Sequence, residues 1–340
     1  MKVCVRADAS RQIGSGHVMR CLVLADRLRA RRQAEIVFLC RELEGHLIGY
    51  IRERGHEVVA LPEPGDDESP AIAAAAAIGA DWLIVDHYAL DRRFEERVRP
   101  HVKKLMAIDD LADRPHACDV LLDTNYDPEA GFRYRNLLAP GTRRMIGSQY
   151  ALLRPSFAAA RPRVRRNGIV RRLLVSFGGV DATDETGKTL EALAPLAEIG
   201  LEITVLAGNA NPRGSQIARL CADLPNVRFH SHVEQVAELM LWADAAIGAG
   251  GTTTWERCCL GLPTLVVTTA ANQEPLTVQA ARAGAVRWLG RAAEVDPGLI
   301  REAALAMIRD PVGMKRMSSL AMELTDGLGA DRIVKELDDR

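Results

Sequence analysis

Short apolar runs, bounded by glycine, proline and polar residues, recur along the whole chain and alternate with segments whose apolar residues fall at helical spacing. In the first half this pattern predicts strands over 2–6, 35–40, 57–61, 82–85, 104–108 and 120–122, with helices over 16–31, 45–54, 70–78 and 91–98. After a lapse near 161–168 it resumes, with strands over 172–176, 202–206, 227–230, 245–247, 264–267 and 286–289, and 311–340 reads as mostly helical. Strand and helix in alternation imply parallel sheets covered on both faces. The predicted class is therefore α/β: two Rossmann-like domains facing a central cleft. The ranges are 1–160, a basic linker over 161–170, a second domain over 171–325, and a terminal helix over 326–340 packing back across the junction.

Length supports two cores, since 340 residues exceed what one core usually holds. Apolar residues make up 48% and the net charge is −1, which argues against a disordered chain and against a polybasic nucleic-acid binder. No apolar run reaches the roughly 18 residues of a membrane span. A strand begins within three residues of Met1, so no signal peptide is expected and the predicted location is the cytoplasm. The seven cysteines form no C-x-x-C pair and read as buried thiols. His230 and His232 end a predicted strand but lack the further ligands of a zinc site. The acidic, proline-rich stretch 62–70 reads as an exposed loop.

The chemistry concentrates where strands end. After the first strand comes Arg6-Ala-Asp8-Ala-Ser10-Arg-Gln-Ile13-Gly14-Ser-Gly16-His17-Val-Met-Arg20, a glycine turn opening a helix with an imidazole in its first turn. Such a turn brings backbone amides close to an anion, and a helix start favours the neutral imidazole that accepts a proton from water. A dinucleotide fingerprint fits poorly. Its third glycine would fall at Met19, and the second strand ends in Cys40-Arg41 without the expected acidic residue. One carboxylate among Asp8, Asp86 and Asp109 is expected to orient His17, and the residues alone leave the choice open.

In the second half, Ser176-Phe-Gly178-Gly179-Val-Asp181 and Ala249-Gly250-Gly251-Thr252-Thr253-Thr254-Trp-Glu256 repeat the glycine turn, the second with hydroxyls added. Asn272-Gln273-Glu274 follows another strand and opens a helix; the amides suit sugar hydroxyls or a pyrimidine edge, and Glu274 suits a ribose diol. Together these point to a diphosphate or nucleotide. No Asp-x-Asp stands where a divalent ion would bridge it, so no metal and no cofactor are expected.

These motifs resemble one family. The N-terminal R-x-D-x-S-x-x-I-G-x-G-H-x-x-R, Asp86-His87-Tyr88, Gly178-Gly179-x-Asp181, the glycine/threonine turn ending in Glu256, and Asn272-Gln273 are similar to the PseG-type UDP-sugar hydrolases of pseudaminic acid biosynthesis, over nearly the full length. The resemblance implies a GT-B-like fold with a MurG-like C-terminal domain. It also implies metal-independent, inverting hydrolysis of UDP-2,4-diacetamido-2,4,6-trideoxy-β-L-altropyranose to free sugar and UDP. It places His17 at the water, Tyr88 at the sugar, with Arg6, Asp8 and Asp86 binding or orienting. Gly14, Gly16, Gly178, Gly179, Gly250, Gly251, Thr252, Thr253, Glu256, Asn272, Gln273 and Glu274 fall to the diphosphate and nucleotide. The chain departs from the pattern at Ala271, often glutamate in the family, and at Asp123-Thr-Asn125. Alternatives are a glycosyltransferase using a UDP-sugar donor, a UDP-sugar epimerase, and a nucleotide-sugar-binding protein without turnover. The oligomeric state is left open.

Overall fold

The computed structural model describes residues 1–62, 68–208 and 211–337. Most of the acidic loop at 62–70 and the last three residues lie outside them. The chain divides into two compact units, one formed by 1–153 with 328–340, the other by 154–327.

Unit 1 contains β1 (Lys2–Ala7), β2 (Glu35–Arg41), β3 (Glu57–Leu61), β4 (Trp82–Asp86), β5 (Lys104–Ile108), β6 (Val120–Asp123) and β7 (Arg143–Ile146). They form one parallel seven-stranded sheet in the order β3-β2-β1-β4-β5-β6-β7. Successive side chains enter opposite cores. Val3 and Val5, Ile84, and Met106 pack with Leu24 and Leu28 of helix Gly16–Arg32, whereas Cys4, Leu83, Val85 and Leu105 pack with Ala75 and Phe94 on the other face. The strand β7 escapes the apolar pattern because it is a four-residue edge carrying two arginines, with only Met145 buried.

Unit 2 contains β8 (Arg172–Ser176), β9 (Glu202–Leu206), β10 (Val227–His230), β11 (Ala245–Ala249), β12 (Thr264–Thr268) and β13 (Arg287–Arg291), in the order β10-β9-β8-β11-β12-β13 and again parallel. In each sheet the winding reverses beside the first strand, between β1 and β4 and between β8 and β11. Ligands of open α/β sheets bind outside the carboxyl ends of the strands at such a switch point.

The basic segment expected to be a solvated linker is instead built into unit 2. Arg161 donates to the carbonyls of Cys259, Met322 and Thr325, and Arg166 to those of Met240, Ala243 and Leu260. These carbonyls belong to the ends of helices Val236–Trp242, Thr253–Cys259 and Pro311–Leu324, where a guanidinium satisfies orphan acceptors and complements the helix dipole. The unit boundary consequently falls at 153/154 rather than 160/161. The terminal helix Gly329–Glu336 rejoins unit 1, with Ile333 and Val334 in its core and Asp331 accepting from Arg27 Nε at 2.7 Å.

Candidate active site

Helix Gly16–Arg32 starts directly after the turn that follows β1, so His17 stands at the carboxyl edge of the sheet and is 7% exposed. Ser10 and Gly14 close that turn by a backbone hydrogen bond of 2.8 Å, and the positive φ of +80° at Gly14 permits it. The neighbouring strand β4 ends in Asp86, whose Oδ1 lies 2.6 Å from His17 Nδ1. A carboxylate there accepts a hydrogen bond from Nδ1–H, which leaves the lone pair on Nε2. Nε2 has no protein partner among the described residues. The Tyr88 ring meets the imidazole edge-on, with centroids 4.5 Å apart and planes at 84°.

Arg20, one helical turn beyond His17, grips Asp86 through Nε at 2.6 Å and Nη2 at 2.5 Å and reaches Asp110 through Nη1 at 2.7 Å. Burial alone would raise the Asp86 pKa; the Arg20 charge, then His17, outweigh it and hold the carboxyl well below its ordinary range. Arg20 closes the N-terminal motif in the sequence but has no role assigned to it there, although its i, i+3 spacing from His17 puts both on one helix face.

The other candidate carboxylates serve different clusters. Asp8 binds Arg6 at 2.6 and 2.8 Å and the Arg41 amide at 2.8 Å. Arg6 also donates to Glu68 and to the Leu39 carbonyl, so its guanidinium is fully used inside the protein. Asp109, at the end of β5, accepts from the Ala112 amide at 3.0 Å, pairs with Arg114 at 2.8 Å and lies 3.7 Å from His116 Nε2.

His116 is itself buried, with Nδ1 2.7 Å from Glu95. Burial alone would lower its pKa, but Asp109 and Glu95 outweigh burial and raise it to about 9. A raised folded pKa contributes stability that is full below the unfolded value of about 6.5 and lost as pH climbs through the folded one. We expect on the order of 2–3 kcal/mol of stability to disappear between about pH 6.5 and 9 through this group. Denaturant midpoints across that range should fall in the native chain and stay flatter in His116→Gln; equal slopes would contradict the assignment.

In unit 2 the two turns beside the switch point differ. After β8, Gly178 (φ +87°) and Gly179 have nothing within 4 Å of where a side chain would start, and Asp181 turns back to cap helix Glu185–Glu198 through the amides of Glu185 (2.9 Å) and Thr186 (3.0 Å). After β11, Gly250 packs so closely on Thr277 that a Cβ would sit 2.3 Å from its hydroxyl, whereas Gly251 meets nothing nearer than 4.0 Å. Thr252 is exposed and Thr253 half-buried above that turn. Gln273 Oε1 accepts from the amides of Thr269 (2.9 Å) and Gly250 (3.3 Å), joining the turns after β11 and β12. Asn272 shares the turn Ala271–Gln273. Glu256 is held by Arg154, 3.4 Å away, which also donates to the Glu234 carbonyl. Glu274 accepts from Arg291 through both of its oxygens, at 2.8 and 2.9 Å. Among the described residues no group of three or more His, Cys, Asp or Glu is placed to hold a metal ion, and no helix is long and apolar enough to cross a membrane.

No protein-family model matches the chain. It is 26% identical to the spore coat polysaccharide biosynthesis protein SpsG of Bacillus subtilis over 100% of this chain and 98% of that protein. It is also 26% identical to the UDP-2,4-diacetamido-2,4,6-trideoxy-beta-L-altropyranose hydrolase of Campylobacter jejuni, over 84% of this chain and 97% of that one. A third relative at 26%, the uncharacterized protein MJ1062 of Methanocaldococcus jannaschii, is matched over 78% of this chain and only 55% of its own length. Among solved structures, MurG of Acinetobacter baumannii superposes with a TM-score of 0.70 at 12% identity, covering 100% of this chain and 99% of MurG. The UDP-GlcNAc 2-epimerase of Neisseria meningitidis, solved with UDP-GlcNAc bound, gives 0.67 at 13%, covering all of both chains. The chain is thus a relative of the PseG-type hydrolase, as its motifs indicate, and is built on the two-domain α/β fold of MurG.

Proposed function

We propose that the chain hydrolyses a UDP-linked 2,4-diacetamido-2,4,6-trideoxyhexose, the altropyranose, to free sugar and UDP, the step that the family resemblance assigns to pseudaminic acid biosynthesis. The observation that carries this reading is the His17–Asp86 pair, with Nδ1 committed at 2.6 Å and Nε2 left without a protein partner among the described residues. In the proposed step Nε2 takes a proton from water as the oxygen attacks C1. Asp86, kept ionised by Arg20, stabilises the imidazolium that forms. The C1–O bond breaks with inversion, and the electron pair leaves with UDP. Because UDP departs as an anion, the second carboxylic acid of ordinary glycosidases is dispensable. The 26% identity to the Campylobacter jejuni hydrolase supports the substrate, and the open positions at Gly178, Gly179 and Gly251 support a nucleotide in unit 2.

Transfer to an acceptor hydroxyl is the second reading, favoured by the same pair, since an imidazole base deprotonates an alcohol as readily as water. Incubating the full chain with the UDP-sugar and no acceptor separates the two. UDP and free sugar appearing in equal amounts is the expected result; substrate left intact until an alcohol is added would favour transfer. For the nucleotide half, Asn272→Ala should raise KM by about 10-fold with kcat little changed, as loss of a ground-state contact does. An unchanged KM would place the nucleotide elsewhere.

A further inference from the structure

Arg257 lies in helix Thr253–Cys259 among Trp255, Cys258, Cys259 and Leu260, and is 2% exposed. A guanidinium buried in this helix needs a reason. Its Nη2 donates to the Ala249 carbonyl at 2.6 Å and to Thr254 Oγ1 at 3.2 Å, and Nη1 reaches Thr253 Oγ1 at 3.4 Å. Nε is buried without a partner. Among the described residues no carboxylate forms an ion pair with it; Glu256, next in sequence, is paired with Arg154 and acts on Arg257 only through space. The guanidinium packs against the end of β11: a Cβ at Gly248 would meet the Ser176 carbonyl oxygen at 2.3 Å and Nη1 at 2.8 Å. Burial lowers its pKa to about 10, which still leaves it charged at neutral pH.

A buried guanidinium without a carboxylate is costly, and an apolar residue of similar volume commonly replaces a buried ion at no loss of stability. All three of its contacts go to the turn running from Ala249 to Thr254. We propose that Arg257 is the buried countercharge for a nucleoside diphosphate: unpaired beneath this turn in the free protein, it is neutralised when the diphosphate settles on the turn. The inference rests on the reading of unit 2 as the nucleotide-binding half. Arg257 acts through the turn and is a positioning residue. A hydroxyl whose oxygen accepts from a guanidinium must send its hydrogen elsewhere, so the half-buried Thr253 becomes an oriented donor towards a phosphate oxygen. The charge itself works across a dry interior, where water does not screen it.

The test compares UDP with uridine, which lacks the phosphates, by titration calorimetry on the full chain, alongside thermal midpoints without ligand. Arg257→Met should weaken UDP by about 10- to 100-fold, the range of a hydrogen-bonded charge, and leave uridine within about 2-fold. Its ligand-free midpoint should equal or exceed that of the native chain. Arg257→Lys should recover part of the UDP affinity. Equal weakening of UDP and uridine, or of neither, would overturn the inference. An Arg257→Met chain that fails to fold would contradict the claim that the charge is uncompensated, and Arg257→Lys then carries the UDP-to-uridine comparison. A native chain that binds neither ligand would instead remove the nucleotide reading of unit 2.

Discussion

Replacing His17 by Gln should lower turnover of the UDP-sugar by at least ~10²-fold while UDP binding is retained, because a general base commonly contributes 10²- to 10⁴-fold. Glutamine keeps a polar group near Asp86 but has no lone pair basic enough to take a proton from water. On the proposed reading the nucleotide rests mainly on the turns of unit 2, which are built from unit 2 residues and are untouched by the substitution. The loss should therefore appear in kcat, with the UDP dissociation constant within about 3-fold of native. Preserved turnover would remove His17 from the chemistry; lost UDP binding would give it a different role.

A second large effect is expected at Asp86, through two routes that separate experimentally. In Asp86→Asn the amide NH₂ can donate to His17 Nδ1, which moves the ring proton to Nε2 and leaves no acceptor for the water. A wrong tautomer of this kind costs up to about 10⁴-fold in a catalytic triad. The same change strips Arg20 of a carboxylate it holds through two bonds, leaving a buried cation with Asp110 as its remaining acidic partner. Breaking a buried pair from one side typically costs about 3–5 kcal/mol. We expect both a kcat loss of about 10³-fold or more and a clear drop in the unfolding midpoint. Arg20→Lys, which keeps one charge near Asp86, should share the destabilisation but lose much less turnover. Equal losses of turnover in the two variants would mean that Asp86 serves the packing of the site rather than the imidazole.

Much of the fold was legible because its strands are short, largely apolar runs: β5, β8 and β9, with buried centres, and the more exposed edge strands β3 and β10 all lie at the residues the pattern predicts. The helix expected over 45–54 is shorter, Ile48–Glu53, since His46 and Leu47 form the turn that enters it. His17 and Asp86 were both visible as strand-end residues, but their pairing was not. It depends on β1 and β4 being neighbours, a consequence of sheet order that no local pattern encodes. Asp8 and Asp109 are taken instead by arginines close in sequence, Arg6 and Arg114. Arg161 and Arg166 misled for a related reason. A basic run with proline and glycine looks solvated until the helix ends it caps are in place.

The most direct measurement is hydrolysis of the UDP-sugar in ¹⁸O-water without acceptor, with both products weighed by mass spectrometry. Label in the free sugar and none in UDP is the result that attack at C1 by a His17-activated water predicts. Label in UDP would mean attack at phosphorus and would contradict it.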